Sequence, residues 1–480
     1  STGISIYAAG YFRHSEGALP GRQCLLYHVF LASMVFVLLA DDGYAFMVAW
    51  ESMALSSFLL VTSEHQHSEI RRAGYLYLLI AHVGALAILL SFGIMAGSTG
   101  DYTFDAMRDF YHDGIWPTVA FLLALFGFGA KAGLLPLHIW LPEAHPAAPS
   151  PVSALMSGVM LKTAIYGIIR ISLDLLDDNL WWWGVLLLVI GLITAIFGVI
   201  YAAIQSDMKR LLAYSSIENI GVIFVGLGLA LTFKSFMLPH LSALAMTAML
   251  YHCLNHACFK SLLFLSTGSV LHATGERNLG KLGGLIHRMP WVAWLALVGV
   301  LASAGLPPLN GFISEWLLLQ SFLFTSSLPH GYLNMLLPAF AAAVALVAAL
   351  AGFAMVKFFG VIFLGQPREE KLANAHDADP LERTGLCWLA ACCVLLGLFP
   401  NLVISTLDPV TRMLVGSGLK SAAATHGWWL LAPISADRAS YSAAVFFICL
   451  AIFVPLVYWL VRRFFHTGHR RVPPWDCGFP

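Results

Sequence analysis

The chain has 480 residues, of which 59% are hydrophobic and only 11% are charged, and its 26 basic and 26 acidic residues cancel to a formal charge of zero. A soluble protein carries about twice that charged fraction, and many apolar runs reach the roughly 18 residues that cross a bilayer. The composition therefore excludes an ordinary soluble domain, and the continuous apolar runs exclude a β-barrel. The chain has no long basic tract of the kind that would indicate a nucleic-acid partner.

In chain order, the hydrophobic pattern predicts an all-α polytopic membrane protein with about twelve transmembrane helices. The predicted spans cover about residues 23–40, 43–62, 73–96, 117–140, 151–173, 182–204, 210–232, 240–272, 291–324, 334–364, 386–405 and 441–464. They divide the chain into an N-terminal polar segment (1–22), a first five-helix repeat (23–178), a second, inverted five-helix repeat (179–365), a cytoplasmic loop (366–385) and two further helices with a tail (386–480).

The basic residues indicate which face of the membrane each loop occupies. We call the face of the N-terminal segment side one. That segment and every second loop hold sixteen of the 26 Lys and Arg residues, whereas the opposite side holds five. Cytoplasmic loops carry the excess of Lys and Arg in membrane proteins. The pattern therefore predicts that side one, and with it both ends of this chain, is cytoplasmic.

Two segments repeat without a gap: AGLLPLHIWLPE at 132–143 and AGLPPLNGFISE at 304–315. Pro136 and the pair Pro307–Pro308 interrupt long apolar runs, which breaks a helix. Each segment lies in the fourth span of a five-span group, and because five is odd, the second group enters the membrane from the opposite side. Paired broken helices in matching halves indicate an ion pathway, although two unrelated Pro–Gly kinks remain an alternative.

The eight cysteines are scattered through the chain and form no CxxC pair. Iron–sulfur clusters and structural zinc sites depend on such closely spaced cysteines. We therefore expect no metal, no cofactor and no redox centre in this chain, and we interpret the cysteines as small buried apolar residues.

Seven charged residues lie in or near the predicted spans: Glu51, Lys131, Lys162, Glu218, Lys260, Glu315 and Lys357. Each would cost roughly 2.5–3.5 kcal/mol at the centre of a lipid-facing helix. Their sum, about 20 kcal/mol, exceeds the whole stability of a typical domain. We therefore expect these side chains to face one another or water inside the bundle, where alternating acidic, basic and imidazole groups can form a proton relay.

Simpler interpretations remain open for several of these residues. Glu51 and Lys131 can form an inert structural ion pair. Lys357 lies near a helix end and can extend to the membrane surface. Glu218 can pair locally with the basic residues that precede it on the same helix, and Glu143, at a broken helix end, can be interfacial.

His252, His256 and Lys260 follow one another at intervals of four residues within one apolar stretch, so they climb one face of a helix. The His-x3-His spacing also occurs in metal sites, but the third residue is a lysine, which is a poor ligand while protonated. We favour a hydrated proton wire, because neutral imidazole accepts a proton on one nitrogen and donates from the other. His82 lies on the corresponding helix of the first half.

Five stretches carry a family resemblance: WESMALSSFLLVT, GFGAKAGLLPLHIWLPEAHPAAPSPVSALMSGVMLKTAIYGIIR, MKRLLAYSSIENIG, LNHACFKSLLFLSTGSV and GLPPLNGFISEW. Over nearly all of residues 20–365 the chain resembles the antiporter-like subunits of respiratory complex I and of Mrp cation/proton antiporters. The stretches LHATGERNLGKLGG and WDCGF resemble in particular the hydrogenase-4 component B and formate hydrogenlyase subunit 3 type, membrane subunits of group 4 nickel–iron hydrogenase complexes.

The resemblance implies which residues translocate protons. It implies an input pair, Glu51 and Lys131, and a bridging lysine, Lys162. The central connecting residues are then His252, His256 and Lys260, and the terminal residue is Glu315. The secondary candidates are His82, Glu143, Glu218 and Lys357. Some members have Lys at the position of Glu315 and His at the position of Ser157, so these two links differ here.

The resemblance also implies a function: a proton- or Na⁺-translocating membrane subunit of an energy-converting oxidoreductase, in the cytoplasmic (inner) membrane of a prokaryote, without a redox centre of its own. Its partners would be other membrane subunits and, through them, a peripheral nickel–iron-hydrogenase-type arm. The alternatives are a subunit of an Mrp-type Na⁺/H⁺ antiporter or of respiratory complex I, and a passive scaffold. The family has roughly three helices before the position at which this chain starts, so we expect a longer protein.

Two expectations concern the geometry of the pathway. Glu51 and Lys131 are expected to face each other inside the bundle, close enough to pair directly or through one water. The wire of two histidines and a lysine is expected to face the interior of the second half, between Lys162 and Glu315.

Overall fold

The computed structural model describes residues 1–14, 20–109, 114–176, 180–323, 328–419, 429–433 and 439–464. This part of the chain consists of helices and connecting loops, and the only β-type pairings within it are three isolated bridges. Ten of its helical segments are long and apolar enough to cross a membrane. The predicted all-α polytopic membrane fold is confirmed. The WDCGF stretch at 475–479 lies outside the described residues.

The helices of the first half are α1 (Thr2–Tyr11), α2 (Pro20–Leu39), α3 (Gly43–Val61), α4 (Ser68–Ala96), α5 (Phe104–Asp109), α6 (Trp116–Ala132), α7 (Leu141–Ala147) and α8 (Ser150–Leu175). Those of the second half are α9 (Trp181–Ile204), α10 (Met208–Ser235), α11 (Pro239–Thr274), α12 (Pro290–Ser303), α13 (Asn310–Leu323) and α14 (Gly331–Phe363). The chain continues with α15 (Pro380–Leu398), α16 (Pro400–Val415) and α17 (Ala443–Phe464).

Ten of the predicted spans coincide with the membrane-length segments, and the other two correspond to the 36-residue helix α11 and to the pair α12 and α13. One boundary is wrong. The span predicted at 386–405 ends at Leu398, and Pro400 begins the separate helix α16. Proline has no N–H to donate, so it is well tolerated in the first turn of a helix but breaks a helix interior.

The N-terminal segment, residues 1–22, contains a helix that lies outside the predicted spans. Thr2–Tyr11 form α1. Ile4 and Tyr7, one turn apart, are buried, and α1 packs on α15, α8 and α11. A short apolar helix of this kind is too short to register as a membrane span, and only its packing against other helices reveals its role.

Both predicted helix breaks are present. The helix α6 ends at Ala132 and is followed by Gly133, whose φ of +84° an L-residue rarely adopts. A short turn at Leu137–Trp140 separates α6 from α7. In the second half, Gly305, with φ +63°, lies between α12 and α13. Glycine has no Cβ and adopts this left-handed conformation without a steric penalty. Each break therefore depends on a glycine as well as on proline.

The helices α9 and α10 approach each other through glycines. A β-carbon added to Gly221 would lie 2.4 Å from the backbone nitrogen of Ala195, and one added to Gly228 would lie 2.5 Å from that of Leu188. Small residues at such positions let the backbones of membrane helices pack closely. Every residue in the most apolar stretch of α10 is buried, so this helix forms the centre of the second half.

Candidate functional site

The first buried charge is Lys131, near the end of α6, with 3% of its surface exposed. Its ammonium donates to the hydroxyl of Tyr77 on α4 (2.7 Å) and lies 5.9 Å from the ring of Trp50. The Tyr77 hydroxyl is 2.6 Å from Ser57 Oγ on α3. A hydroxyl acceptor and aromatic faces together stabilise a buried cation. The helices α3, α4 and α6 therefore hold Lys131 in a polar pocket inside the first half.

Glu51 does not take part in this pocket. Its carboxylate lies 3.0 Å from Nδ1 of His82 on α4, and the two side chains are 31% and 46% exposed. Within the described part of the chain no ion pair joins Glu51 to Lys131. Of the two expected forms of this pair, direct or through one water, the direct contact is therefore absent. Successive residues of a helix are about 100° apart. Because the buried Trp50 faces Lys131, Glu51 points toward the outer surface.

Lys162 on α8 connects the two halves. Its ammonium donates to the carbonyl oxygen of Ser157 (2.7 Å) and contacts Nδ1 of His256 on α11. A π-helical turn at Met156–Met160 precedes Lys162, and such a turn shifts the backbone hydrogen bonds out of the α-helical pattern. Since an ammonium has no acceptor, Nδ1 of His256 accepts and the neutral ring carries its proton on Nε2.

Lys260, fully buried on α11, reaches α10. Its ammonium donates to Ser215 Oγ (2.5 Å), which donates in turn to Oε2 of Glu218 (3.0 Å). The amide of Asn219 donates to the same carboxylate oxygen at 2.9 Å. One hydroxyl thus separates an acid from a base in the protein interior. Glu218, only a secondary candidate in the sequence, belongs to the centre of the site.

The local partners considered for Glu218 bind elsewhere. Lys209 donates to the carbonyl oxygen of Ala148 at 2.8 Å. Arg210 forms a bidentate pair with Glu143, at 2.6 and 2.7 Å, in which both side chains are more than two-fifths exposed. Glu143 therefore lies in a surface ion pair, apart from the buried series.

His252 lies between α10 and α13. Its Nε2 is 3.1 Å from Asn219 Oδ1, and its Nδ1 is 2.9 Å from Ser314 Oγ. The amide nitrogen of Asn219 already donates to Glu218 and to the carbonyl oxygen of Ser215. The amide oxygen is therefore the acceptor, so His252 donates from Nε2 and the neutral ring leaves Nδ1 as an acceptor, facing the Ser314 hydroxyl, which also reaches the carbonyl oxygen of Gly311 at 3.1 Å.

Glu315 lies at the second helix break. A β-carbon on Gly305 would come within 2.4 Å of Glu315 Oε2, so the carboxylate covers the glycine of the break. At the two helix ends that flank the break, the buried side chains of Ser303 and Asn310 make no hydrogen bond within the described residues. Buried polar groups of this kind are satisfied by water when the site has room for it.

Lys357 has a structural position. Its ammonium donates to the carbonyl oxygens of Ala203 (2.8 Å) and Gln205 (2.7 Å) at the end of α9. The last carbonyl groups of a helix have no partner within the helix, and a basic side chain there satisfies them. Lys357 therefore caps the C-terminal end of α9.

Four residues of the site were not predicted from the sequence: Tyr77, Ser215, Asn219 and His145. A hydroxyl or amide inside an apolar helix is common, so the first three give no distinctive pattern. His145 follows the first repeat segment, is fully buried, and has its ring centroid 4.6 Å from that of Phe264. Its position just after a helix break is the one signal that the sequence offers.

The geometry does not favour a metal at the two histidines. Their nitrogens contact Lys162, Asn219 and Ser314, and none of these three supplies the imidazole, thiolate or carboxylate ligands of a typical transition-metal site. Among the described residues no group of three or more His, Cys, Asp or Glu side chains is placed to hold a metal ion.

An all-helical membrane bundle with two broken helices and a buried series of lysine, histidine and glutamate between them defines the antiporter-like class of membrane subunits. Residues 40–344 match the sequence profile of the NADH:quinone oxidoreductase/Mrp antiporter transmembrane family, and the chain belongs to this family. The predicted family resemblance is thereby confirmed.

Three relatives support the assignment. The chain is 37% identical to hydrogenase-4 component B of Escherichia coli (strain K12), covering 99% of this chain and 71% of that protein. It is also 37% identical to formate hydrogenlyase subunit 3 of the same organism, over 82% of this chain and 63% of that protein. A subunit of the membrane-bound sulfane sulfur reductase, an archaeal respiratory membrane complex, superimposes with a TM-score of 0.80 at 28% identity, covering 100% of this chain and 75% of that chain.

Proposed function

We propose that this chain is the proton-translocating, antiporter-like subunit of an energy-converting oxidoreductase of the hydrogenase-4 and formate hydrogenlyase type. The observation that carries the proposal is the contact of Lys162 with His256, because it joins the polar groups of the two halves. Redox chemistry takes place in partner subunits, including a peripheral hydrogenase-type arm, and this chain moves charge through the membrane.

The chemistry of the buried groups favours protons over Na⁺. Hard cations bind to several oxygen ligands, whereas the middle of the series presents the nitrogens of Lys162, His256 and Lys260. A proton moves from Lys162 Nζ to Nδ1 of His256, leaving a neutral amine. The imidazolium then releases its other proton from Nε2 to a water molecule, because no described side chain accepts from that nitrogen. In the same way, Lys260 passes a proton to Ser215 Oγ as Ser215 passes its own to Glu218, which converts an ion pair into a neutral pair.

The position of Glu51 supports the presence of a second membrane subunit. Glu51 lies near the middle of α3, and the exposed residues on its face include Val48 and Leu55. A charge exposed to lipid at this depth costs roughly 2.5–3.5 kcal/mol. Packing of a neighbouring subunit over Glu51 and His82 removes that cost and links the pair to the partner. The bacterial relatives support a location in the inner membrane of a prokaryote, and the excess of Lys and Arg on side one supports an orientation with both ends of this chain in the cytoplasm.

The function is tested with Lys260→Met in the complete membrane complex, assayed in inside-out vesicles. We expect the variant to assemble and the redox reaction to continue, while proton uptake per turnover falls at least tenfold, because methionine fills the volume without a titratable group. Lys260→Arg is expected to fail as well, since guanidinium stays protonated. The exposed Lys371→Met serves as the matched control.

Two results would contradict the proposal. Normal proton uptake in Lys260→Met would make the buried charges dispensable, as in a passive scaffold. The Mrp-type alternative predicts a different pattern: vesicles without the redox reaction would exchange Na⁺ for protons, and hydrogenase-type subunits would be absent from the purified complex.

A further inference from the structure

A cavity opens at the side-one end of α11, away from the site described above. It has a volume of about 160 Å³ and lies between the last turns of α11, the loop before α15 and the first turn of α15. Its lining includes Ser269, His272, His376 and Glu382. Titratable groups thus surround a space large enough for several water molecules at the end of the helix that carries Lys260.

The cavity leads from an exposed imidazole to a buried carboxylate. His376 is exposed, and its ring centroid lies 5.9 Å from that of His272. His272 Nδ1 is 3.8 Å from Oε1 of Glu382, which has 2% of its surface exposed, and Ser269 Oγ donates to the other carboxylate oxygen at 2.9 Å. Each of these groups can accept and release a proton.

Further hydroxyls continue inward from Ser269. Its Oγ is 2.8 Å from the hydroxyl of Tyr7 on α1. A β-carbon on Gly268 would lie 2.8 Å from that hydroxyl and 3.0 Å from Ser150 Oγ on α8, so both oxygens cover the same glycine. Ser150 is fully buried, and its hydroxyl makes no hydrogen bond within the described residues.

His145 contacts the stretch of α11 that separates Lys260 from Gly268. It packs on Phe264, one turn beyond Lys260 on α11, and neither of its ring nitrogens is hydrogen-bonded within the described residues. From Lys260 to His272 the helix rises about 18 Å. Polar groups therefore lie along α11 at intervals of about one turn, from the buried Lys260 to the cavity at its end.

We propose that this cavity is the side-one proton port of the chain, and that His376, His272, Glu382, Ser269, Tyr7, Ser150 and His145 lead protons between the aqueous phase and Lys260. The proposal rests on the proposed function. A proton arriving on an imidazole passes to the Glu382 carboxylate, and each hydroxyl accepts one proton as it releases its own. No group is left changed, and the open sites on Ser150 and His145 can bind the water that completes the path.

The first test blocks the port by chemical modification in the complete complex. His376→Cys is treated with a bulky, membrane-impermeant methanethiosulfonate added to side one, and proton uptake per redox turnover is measured. We expect uptake to fall at least fivefold after labelling. Asn374→Cys, exposed on the same loop but outside the cavity, is expected to be labelled without effect, and the wild-type protein reports the contribution of native cysteines. Complete labelling of His376→Cys with unchanged uptake overturns the proposal.

The second test replaces the buried carboxylate. Glu382→Gln keeps the shape of the side chain and removes its proton-accepting charge, and we expect at least a fivefold loss of proton uptake in assembled complex. The exposed Glu370→Gln is the matched control. If Glu382→Gln fails to assemble, the labelling experiment on His376→Cys alone decides whether the cavity is a proton port. Loss of uptake in Lys260→Met with normal uptake in Glu382→Gln overturns the port and leaves the proposed function intact, whereas normal uptake in Lys260→Met overturns the proposed function itself.

Discussion

Trp50 and Glu51 are neighbours in α3, yet their side chains lie in different environments. Trp50 is buried and lies beside the ammonium of Lys131, while Glu51 lies on the outer surface with His82. A rotation of about 100° per residue is enough to separate them. Within the described residues, Glu51 and Lys131 are therefore held by different partners on α4 and are not joined by a direct ion pair.

The hydroxyl of Tyr77 is the group that links Lys131 to α3. In Tyr77→Phe the ammonium loses its hydroxyl acceptor while the ring that faces it remains. A hydrogen bond to a charged group contributes about 1.5–3 kcal/mol, so we expect about a tenfold loss of proton uptake by the assembled complex. Tyr75→Phe, on the same helix but exposed, provides the control. Equal activity of both variants would mean that Lys131 needs no hydroxyl partner.

At the scale of helices, the close contact of α9 and α10 fixes the position of Glu218 and Asn219. In Gly221→Ala the new methyl group meets the backbone of Ala195, and overpacking of this kind costs about 1–3 kcal/mol. We expect a lower unfolding temperature of the protein in detergent. Gly352→Ala, in a helix where nothing lies within 4 Å of the added carbon, should leave that temperature unchanged or raise it. The reverse order would show that the helices are not in close contact.

The sequence predicts the helices and their breaks because hydrophobic length, proline and glycine act locally. It also identifies the charged members of the series, since a charge in an apolar run is conspicuous. It does not predict that Glu218 joins Lys260 through Ser215, or that Lys357 caps α9. Those contacts depend on the rotation and depth of one helix against another, which local patterns do not determine. The buried helix α1 escaped prediction for the same reason.

At the scale of the whole molecule, the outer face of α3 is the expected contact with another membrane subunit. A photoreactive amino acid at Val48, which is 69% exposed and one turn before Glu51, should form a cross-linked product with a neighbouring subunit in the intact complex. The same variant in complex that lacks that subunit provides the control. Cross-links to lipid alone in the intact complex would contradict the proposed interface.

The two sides of α10 differ in electrical properties, because one is polar and the other is closely packed against a neighbouring helix. Toward α11 it presents Ser215, Glu218 and Asn219, whereas toward α9 its glycines bring two backbones into contact. A closely packed, nonpolar layer has a low dielectric constant and conducts no ions. The α9 side therefore acts as insulation, so that ions do not leak along the contact of the two helices and the membrane voltage is maintained. A gap opened between α9 and α10 would short-circuit the membrane even with every buried charge in place.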